Sequence, residues 1–307
     1  MFASILLSLA WLSSQARSQE PAVVHEVREQ RNVAYRSAEK GEILPIHNVL
    51  DLYLPKNVKD FPVIFLVHGG AWVAGDKTLD FVPDVARMFA RQGLGVVAPN
   101  YRLAPLAPYP AQLRDVAKAL AWTVKHIGDY GGQPDRMVLM GHSAGGHLVS
   151  MLATDEGCLT KEGLNGNCIR AVVSVSGVYQ ISDVCLDILF KAGQVQKDLT
   201  LTANPYRIVF GKDAEIRRQA SPLTHVREGL PPFAIVSAER DLPTLADMAR
   251  DFDVALRGKK CTSMLVSVPD CNHLTVFWRL RKPGDPVAVA LLQFIKQHAG
   301  SDRAVSR

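Results

Sequence analysis

The pattern that most strongly indicates covalent chemistry is Gly141-His142-Ser143-Ala144-Gly145, which fits the spacing G-x-S-x-G. It directly follows an apolar run at residues 136–140 and precedes a helix-like run that ends at Thr154. A tight turn from a buried strand into a helix lifts a serine hydroxyl above the sheet, where it can act as a nucleophile. The alternative is an ordinary glycine-rich turn in which Ser143 only caps the helix. The flanking segments favour the nucleophile.

A second glycine-rich segment, His68-Gly69-Gly70-Ala71-Trp72, follows another apolar run. Acyl transfer requires N–H groups directed at the oxyanion that develops on the substrate. Because glycine leaves the backbone open to a ligand, the expected donors are the N–H groups of Gly69, Gly70 and Ala144. A plain Gly-Gly turn is the alternative.

A serine nucleophile also needs a base, which in this chain would be a histidine that follows it in sequence. His273 comes directly after the last apolar run, in Pro269-Asp270-Cys271-Asn272-His273, and is the predicted base. His225 precedes a predicted strand and therefore lies at the opposite edge of the sheet. His298 falls in the last predicted helix, where we expect it to be solvated.

The base in turn needs a carboxylate to orient it. Asp241 follows the apolar run at residues 233–237 and is the predicted acid. Glu239 lies two residues nearer that run and remains the rival. The later Asp247, Asp251 and Asp253 fall within a predicted helix, where a surface role is expected.

The elements that must position these residues alternate in type along the chain. Apolar runs predict strands, and amphipathic runs predict helices between them. This alternation indicates an α/β fold with a mostly parallel sheet covered by helices on both faces. We expect one domain over residues 19–307, with a lid-like insertion at about residues 179–225 where the alternation breaks. The predicted strands are 33–35, 48–54, 61–67, 95–99, 136–140, 171–176, 233–237 and 263–268, and the predicted helices are 80–92, 109–127, 145–154, 245–257 and 286–298.

The composition of the 307 residues suits a globular protein, with 48% hydrophobic and 21% charged residues and a formal net charge of +5. The basic residues are scattered, so no nucleic-acid partner is expected. Neither a CxxC pair nor a zinc-like His spacing occurs, so we expect no metal and no cofactor. The expected partner is a small ester substrate. Homodimer formation is compatible with the sequence.

The N-terminus reads as a signal peptide over residues 1–18. Phe2 to Leu12 is an apolar run without charge that is too short to span a bilayer, and Ala16 and Ser18 place small residues at the cleavage positions. The alternative is a short buried helix or a tail. The prediction is a secreted or periplasmic protein without a stable membrane anchor.

Export would allow disulfides among the five cysteines. Cys158 and Cys168 are close enough in sequence to close a small loop. Cys261 and Cys271 flank a predicted strand whose length would hold them too far apart to bridge.

Taken together, the motifs of this sequence resemble those of a known superfamily. HGGAW, NYRLAP (residues 100–105), YGGQPDRMVLMGHSAGGHL (residues 130–148) and the later ERD and NH segments are similar to α/β-hydrolases. Within that superfamily they look like carboxylesterases of the hormone-sensitive-lipase-like and feruloyl-esterase-like group, which includes kynurenine-formamidase-like enzymes. The resemblance covers residues 51–298. The motif reads HGGA where many lipase-like relatives carry a third glycine.

The resemblance implies an eight-stranded sheet and a cofactor-independent ester hydrolase acting through an acyl-enzyme. It implies Ser143, His273 and Asp241 as the catalytic triad and a structural role for Asp115. Trp72 and Tyr179 are the candidates for lining the substrate pocket, with packing as their alternative role. An arylformamidase or other amidase is the alternative reaction, and a non-catalytic binding protein on the same fold is the alternative from another class.

Overall fold

The computed structural model describes residues 24–37, 45–79, 81–182 and 205–300, and an eight-stranded sheet forms its centre. The spatial order is β1-β2-β4-β3-β5-β6-β7-β8. β1 and β2 run antiparallel to their neighbours, whereas β3 to β8 are parallel, which confirms the predicted mostly parallel sheet. The strands are β1 (Val27–Ala34), β2 (Val49–Pro55), β3 (Phe61–Val67), β4 (Gly95–Pro99), β5 (Gly132–His142), β6 (Ile169–Val175), β7 (Phe233–Arg240) and β8 (Ser263–Asn272).

The helices of the described residues connect these strands. They are α1 (Val82–Arg91), α2 (Ala111–His126), α3 (Ala144–Thr154), α4 (Glu156–Thr160), α5 (Pro205–Phe210), α6 (Ala214–Gln219), α7 (Leu245–Gly258), α8 (Thr275–Trp278) and α9 (Pro286–Gly300). None of the helices within these ranges has both the length and the apolar character that a bilayer crossing needs.

Apolar side chains from the two faces of the sheet form two separate cores. One core packs beneath α2, α3 and α7, and the other beneath α1, α8 and α9. A parallel strand covered on both faces needs apolar residues at nearly every position. β3 (FPVIFLV) and β6 (IRAVVSV) have that composition, and every residue of β6 is buried.

The first strand is an exception, because its sequence VREQRNVA is polar and most of its residues are exposed. It is longer than the predicted 33–35. Its register against β2 shifts between Gln30 and Val33, and Asn32 within the shift has a φ of 56°. The buried carboxylate of Asp51 in β2 binds it there, accepting from the Arg31 guanidinium at 2.7 Å and from the Asn32 N–H at 2.8 Å. Long-range pairing therefore forms this strand despite its sequence.

The predicted insertion is described only in part. Its described parts are Tyr179 to Ser182, then α5, α6 and a turn at Pro222–His225. Val209 and Phe210 of α5 are buried in the core, so this end of the segment packs closely against the domain. Residues 183–204 and the predicted signal peptide lie outside the described residues.

The four cysteines of the described ranges are free thiols. The Sγ atoms of Cys158 and Cys168 donate to the carbonyls of Asp155 and Asn165, and not to each other. The loop-closing disulfide considered for this pair is absent from the structure. Cys261 and Cys271 lie near opposite ends of β8, in keeping with the prediction that they cannot bridge.

Candidate active site

Three predicted residues meet at one edge of the sheet because each follows the carboxyl end of a parallel strand. Ser143 follows β5, Asp241 follows β7, and His273 follows β8. The carboxyl ends of parallel strands lie at the same edge, where ligands of open α/β sheets bind. The β5-β6-β7-β8 order thus brings together residues that are up to 130 positions apart in sequence.

Ser143 occupies a strained turn between β5 and α3. Its φ of 55° and ψ of −119° lie in a region that L-residues rarely adopt. The turn requires glycine nearby: a Cβ on Gly145 would lie 2.1 Å from the carbonyl oxygen of Val67, so α3 can approach β3 this closely only without a side chain there. The sharp turn holds the Ser143 side chain out from the sheet, as predicted for a nucleophile.

His273 contacts both of its predicted partners. The Ser143 hydroxyl donates to Nε2 of His273 at 2.9 Å. The opposite ring nitrogen, Nδ1, donates its proton to Oδ1 of Asp241 at 2.7 Å. Since Nδ1–H faces a carboxylate, the neutral ring carries its lone pair at Nε2, where a general base needs it.

The Asp241 carboxylate is buried and held by further hydrogen bonds. Its Oδ2 accepts from the Ser176 hydroxyl at 2.6 Å and from the Ala238 N–H at 3.1 Å, and its Oδ1 accepts from the Leu242 N–H at 2.9 Å. Burial raises the pKa of Asp241, but the hydrogen bonds from His273, Ser176 and Ala238 outweigh burial and hold the pKa below its ordinary value of 3.8. The carboxylate therefore stays ionised and fixed beside the imidazole.

The HGGAW segment (residues 68–72), called the HGGAW loop below, lies directly beside the nucleophile. A Cβ on Gly69 would lie 3.3 Å from the Cβ of Ser143. Gly70 has a φ of +116°, and a Cβ there would lie 2.1 Å from the Ala74 carbonyl oxygen, so only glycine fits. Ala144 is the first residue of α3, where backbone N–H groups are unpaired and the helix dipole favours negative charge.

Two aromatic rings fix the orientation of the glycine peptides. Nδ1–H of His68 donates to the Gly69 carbonyl at 2.8 Å, and the Tyr101 hydroxyl donates to the His68 carbonyl at 3.0 Å. The two rings stack at 4.3 Å. In a trans peptide the C=O and the N–H point in opposite directions, so these bonds turn the N–H groups of Gly69 and Gly70 away from Tyr101 and His68. Within the described part of the chain, no hydrogen bond uses these two N–H groups or that of Ala144.

The family model described as BD-FAE matches residues 50–253, more than half of the chain. This chain belongs to the BD-FAE family. That membership confirms the resemblance to esterase-like α/β-hydrolases predicted from the motifs.

Several proteins that are similar in sequence carry esterase names. The BD-FAE chain is 31% identical over 256 residues to the probable carboxylic ester hydrolase LipM of Mycobacterium tuberculosis, a match that covers 78% of this chain and 56% of LipM. It is 27% identical over 237 residues to esterase LipQ of the same organism, covering 74% of this chain and 54% of LipQ. The chain thus spans little more than half the length of these relatives. The crystal structure of esterase B from Lactobacillus rhamnosis superposes with a TM-score of 0.72 at 21% identity, covering 97% of this chain and 93% of that one, which confirms the α/β-hydrolase fold.

The other acidic residues and histidines considered from sequence do not contact the triad in this BD-FAE family member. Glu239 accepts the N–H of Asp270 instead of approaching His273. His225 donates to the Gln219 carbonyl, and His298 packs against Phe294 in α9. Asp115 is buried and binds the Arg102 guanidinium through both oxygens at 2.8 Å, which is the structural position implied by the resemblance.

The two predicted pocket residues are core side chains. Trp72 is 1% exposed, and its indole N–H donates to His147. Tyr179 is fully buried, stacks on Phe252 at 4.4 Å, and donates its hydroxyl proton to Ser174. Their role in binding substrate stays a prediction, and these positions argue for packing instead.

Two polar side chains next to the triad, those of Ser176 and His142, were not among the residues predicted from sequence. Ser176 directly follows β6 and supports Asp241. His142, inside the G-x-S-x-G motif, donates from Nε2 to the backbone carbonyl of His273 at 2.8 Å and packs against that ring at 4.8 Å. Burial, with a smaller effect of His273, lowers the pKa of His142 to about 3, so it is neutral. The position of Ser176 at the end of the predicted strand next to β5 could have indicated that it lies at the same edge of the sheet.

No group of three or more metal-ligating side chains lies close together within the described residues.

Proposed function

We propose that this protein is a serine esterase that cleaves carboxylic esters through an acyl-enzyme. The observation that carries the proposal is the continuous hydrogen-bond chain from the Ser143 hydroxyl through His273 to Asp241. Membership in the BD-FAE family and the esterase names of LipM and LipQ support the same reaction class.

In the proposed reaction, Ser143 attacks the acyl carbon while Nε2 of His273 takes the hydroxyl proton. Asp241 stabilises the imidazolium that forms and keeps its ring oriented. The imidazolium then protonates the leaving alkoxide, which releases the alcohol and leaves an ester on Ser143. The acyl-enzyme is then hydrolysed in the same way. His273 removes a proton from a water molecule as the water oxygen adds to the acyl carbon. The bond to Ser143 Oγ then breaks, His273 returns the proton to that oxygen, and the carboxylic acid is released.

The negative oxygen of each tetrahedral intermediate needs donors that are in place beforehand. We assign that role to the N–H groups of Gly69, Gly70 and Ala144. Their support comes from the position of the HGGAW loop beside Ser143 and from the bonds that orient its peptides. Losing one such donor typically lowers kcat by about 10²–10³-fold.

A labelling experiment tests the nucleophile. The wild-type protein is expected to react with a fluorophosphonate probe and to hydrolyse p-nitrophenyl acetate, and Ser143→Ala should lose both activities. Ser150→Ala, on the same helix and with its hydroxyl bonded to the Gly146 carbonyl, is a matched control that should retain both. Labelling of Ser143→Ala at the wild-type rate would refute the assignment. Parallel turnover of a formamide and its matching ester separates an amidase from an esterase.

We also propose that the chain is exported and that residues 1–18 are removed. The support is the uncharged apolar run at Phe2 to Leu12, with Ala16 and Ser18 at the cleavage positions. Mass spectrometry of protein recovered outside the cytoplasm should find an N-terminus at Gln19. Retention of Met1 and Phe2 in that material would contradict the proposal.

A further inference from the structure

A buried histidine outside the triad links three segments around the proposed active site. His147 lies one turn after Ser143 in α3, and its N–H donates to the Ser143 carbonyl at 3.0 Å. Its side chain is fully buried. Nδ1 accepts the indole N–H of Trp72 at 3.2 Å, and Nε2 donates to the Ala220 carbonyl at 2.7 Å. Only the neutral tautomer with a proton on Nε2 makes both bonds.

The backbone of the HGGAW loop needs such an attachment. Gly70, Ala71 and Trp72 all have positive φ values, of 116°, 53° and 61°. A left-handed conformation is unfavourable for a residue with a side chain, and it persists only where surrounding contacts enforce it. Two of these three residues carry a side chain, so the loop stores strain that contacts elsewhere must offset.

Besides the bonds of His68 and Tyr101, a second set of contacts holds the loop through Trp72. Its carbonyl accepts the N–H of Ala104 at 3.0 Å, and its indole is held by His147. The rings of Trp72 and His147 meet edge to face at 5.0 Å, and Phe210 of α5 packs edge-on against Trp72 at 4.9 Å. Trp72 is thereby fixed between α3, which follows Ser143, and α5.

We propose that His147 is a positioning residue for the HGGAW loop: through Trp72 it holds Gly69 and Gly70 in the conformation that receives an oxyanion. Through its bond to Ala220 it also makes this placement depend on how the segment at residues 205–225 packs. The catalytic consequence rests on the proposed esterase function, whereas the structural consequence does not.

Three variants test the link. Trp72→Phe removes the indole N–H and keeps a ring, and His147→Leu removes both side-chain bonds of the histidine. A displacement of a catalytic group by about 1 Å can lower the reaction rate roughly 10²-fold. Each variant should therefore lower kcat for p-nitrophenyl acetate by about 10- to 100-fold. KM should change by less than about threefold, since donors to an oxyanion act mainly in the transition state. The variant that combines both changes should have a kcat no lower than the worse single variant, because both changes break the same Trp72–His147 bond.

Controls separate positioning from general destabilisation. Thr154→Val removes a buried hydroxyl from the same helix, one that bonds only to the Ser150 carbonyl, and it should leave kcat unchanged. His147→Gln keeps an acceptor and a donor on one side chain and should recover part of the lost kcat.

Hydrogen–deuterium exchange provides a measurement that needs no substrate. The amides of Val73 and Ala74, which both donate to the Gly70 carbonyl, should exchange faster in Trp72→Phe and His147→Leu than in the wild type and in Thr154→Val. Should His147→Leu fail to fold, the exchange of Trp72→Phe decides. Unchanged exchange at these amides, or single-variant losses in kcat that multiply in the double variant, would overturn the inference. A wild-type protein without esterase activity would refute the proposed function alone, because exchange would still report on the loop.

Discussion

Three buried histidines should make this protein markedly less stable in mild acid. Burial is the largest cause that lowers the pKa of His68 to about 4, of His142 to about 3 and of His147 to about 4, against an ordinary value of 6.5. Each ring already uses a nitrogen to donate to a backbone carbonyl. The folded protein therefore keeps these rings neutral at a pH where the unfolded chain protonates them.

The sign and size follow from linkage. About one pH unit or more above 6.5, these rings are almost fully neutral in both the folded and the unfolded state, and stability is complete. As the pH falls from 6.5 towards 4, the unfolded chain binds protons that the folded protein does not, so the free energy of unfolding decreases. At pH 5.5 each ring contributes a loss of about 1–2 kcal/mol, or roughly 3–5 kcal/mol for the three. That sum is a large share of the roughly 5–15 kcal/mol by which proteins are usually stable.

Urea unfolding at pH 7.5 and pH 5.5 measures this loss directly. The wild type should lose several kcal/mol between the two pH values, whereas His147→Gln should lose about 1–2 kcal/mol less. Thr154→Val removes a buried hydroxyl and no titratable group, so it serves as the control and should match the wild type in its pH dependence. A wild-type loss below about 1 kcal/mol, or equal losses in His147→Gln and the wild type, would refute the reasoning.

Other predictions concern the proposed triad and its supports, all measured as kcat and KM for p-nitrophenyl acetate. Asp241→Asn should lower kcat by about 10³–10⁴-fold, since an amide stabilises the wrong imidazole tautomer, whereas Glu239→Gln should stay near the wild type; the reverse order would make Glu239 the acid. Ser176→Ala removes a bond to a charged carboxylate worth about 1.5–3 kcal/mol, so kcat should fall by up to roughly 10- to 100-fold, and an unchanged kcat would show that the other donors suffice. Tyr101→Phe frees the His68 carbonyl and should lower kcat about 10-fold at constant KM. A change in KM alone would argue against its effect on the oxyanion donors.

The buried strands could be predicted from sequence because a strand that is covered on both faces requires a nearly continuous apolar run. Most helices could be predicted from their amphipathic pattern. The prediction for β3 matches the observed Phe61–Val67, and that for α3 differs by one residue at its start. β1 was predicted too short, because its polar residues pair with β2 through contacts distant in sequence. Local composition carries no sign of such pairing.

The predicted triad residues meet in the structure because each follows a strand, a position that sequence reveals. The choice between Asp241 and Glu239 was less certain from sequence, since both lie near the end of β7. The contribution of Ser176 and His142 depends on the direction in which side chains leave neighbouring strands, and the pattern of residue types does not contain that information. Trp72 belongs to the HGGAW motif, which suggests a place in the substrate pocket, but its burial results from packing against α3 and α5.

The positive φ of Ser143 has an evolutionary consequence. Glycine would adopt the φ of 55° and ψ of −119° without a steric penalty, so Ser143→Gly would be expected to raise the melting temperature while abolishing the proposed reaction. Selection for folding alone would favour glycine at this position. The serine at residue 143 therefore lowers the stability of the fold while supplying the hydroxyl that the proposed reaction needs.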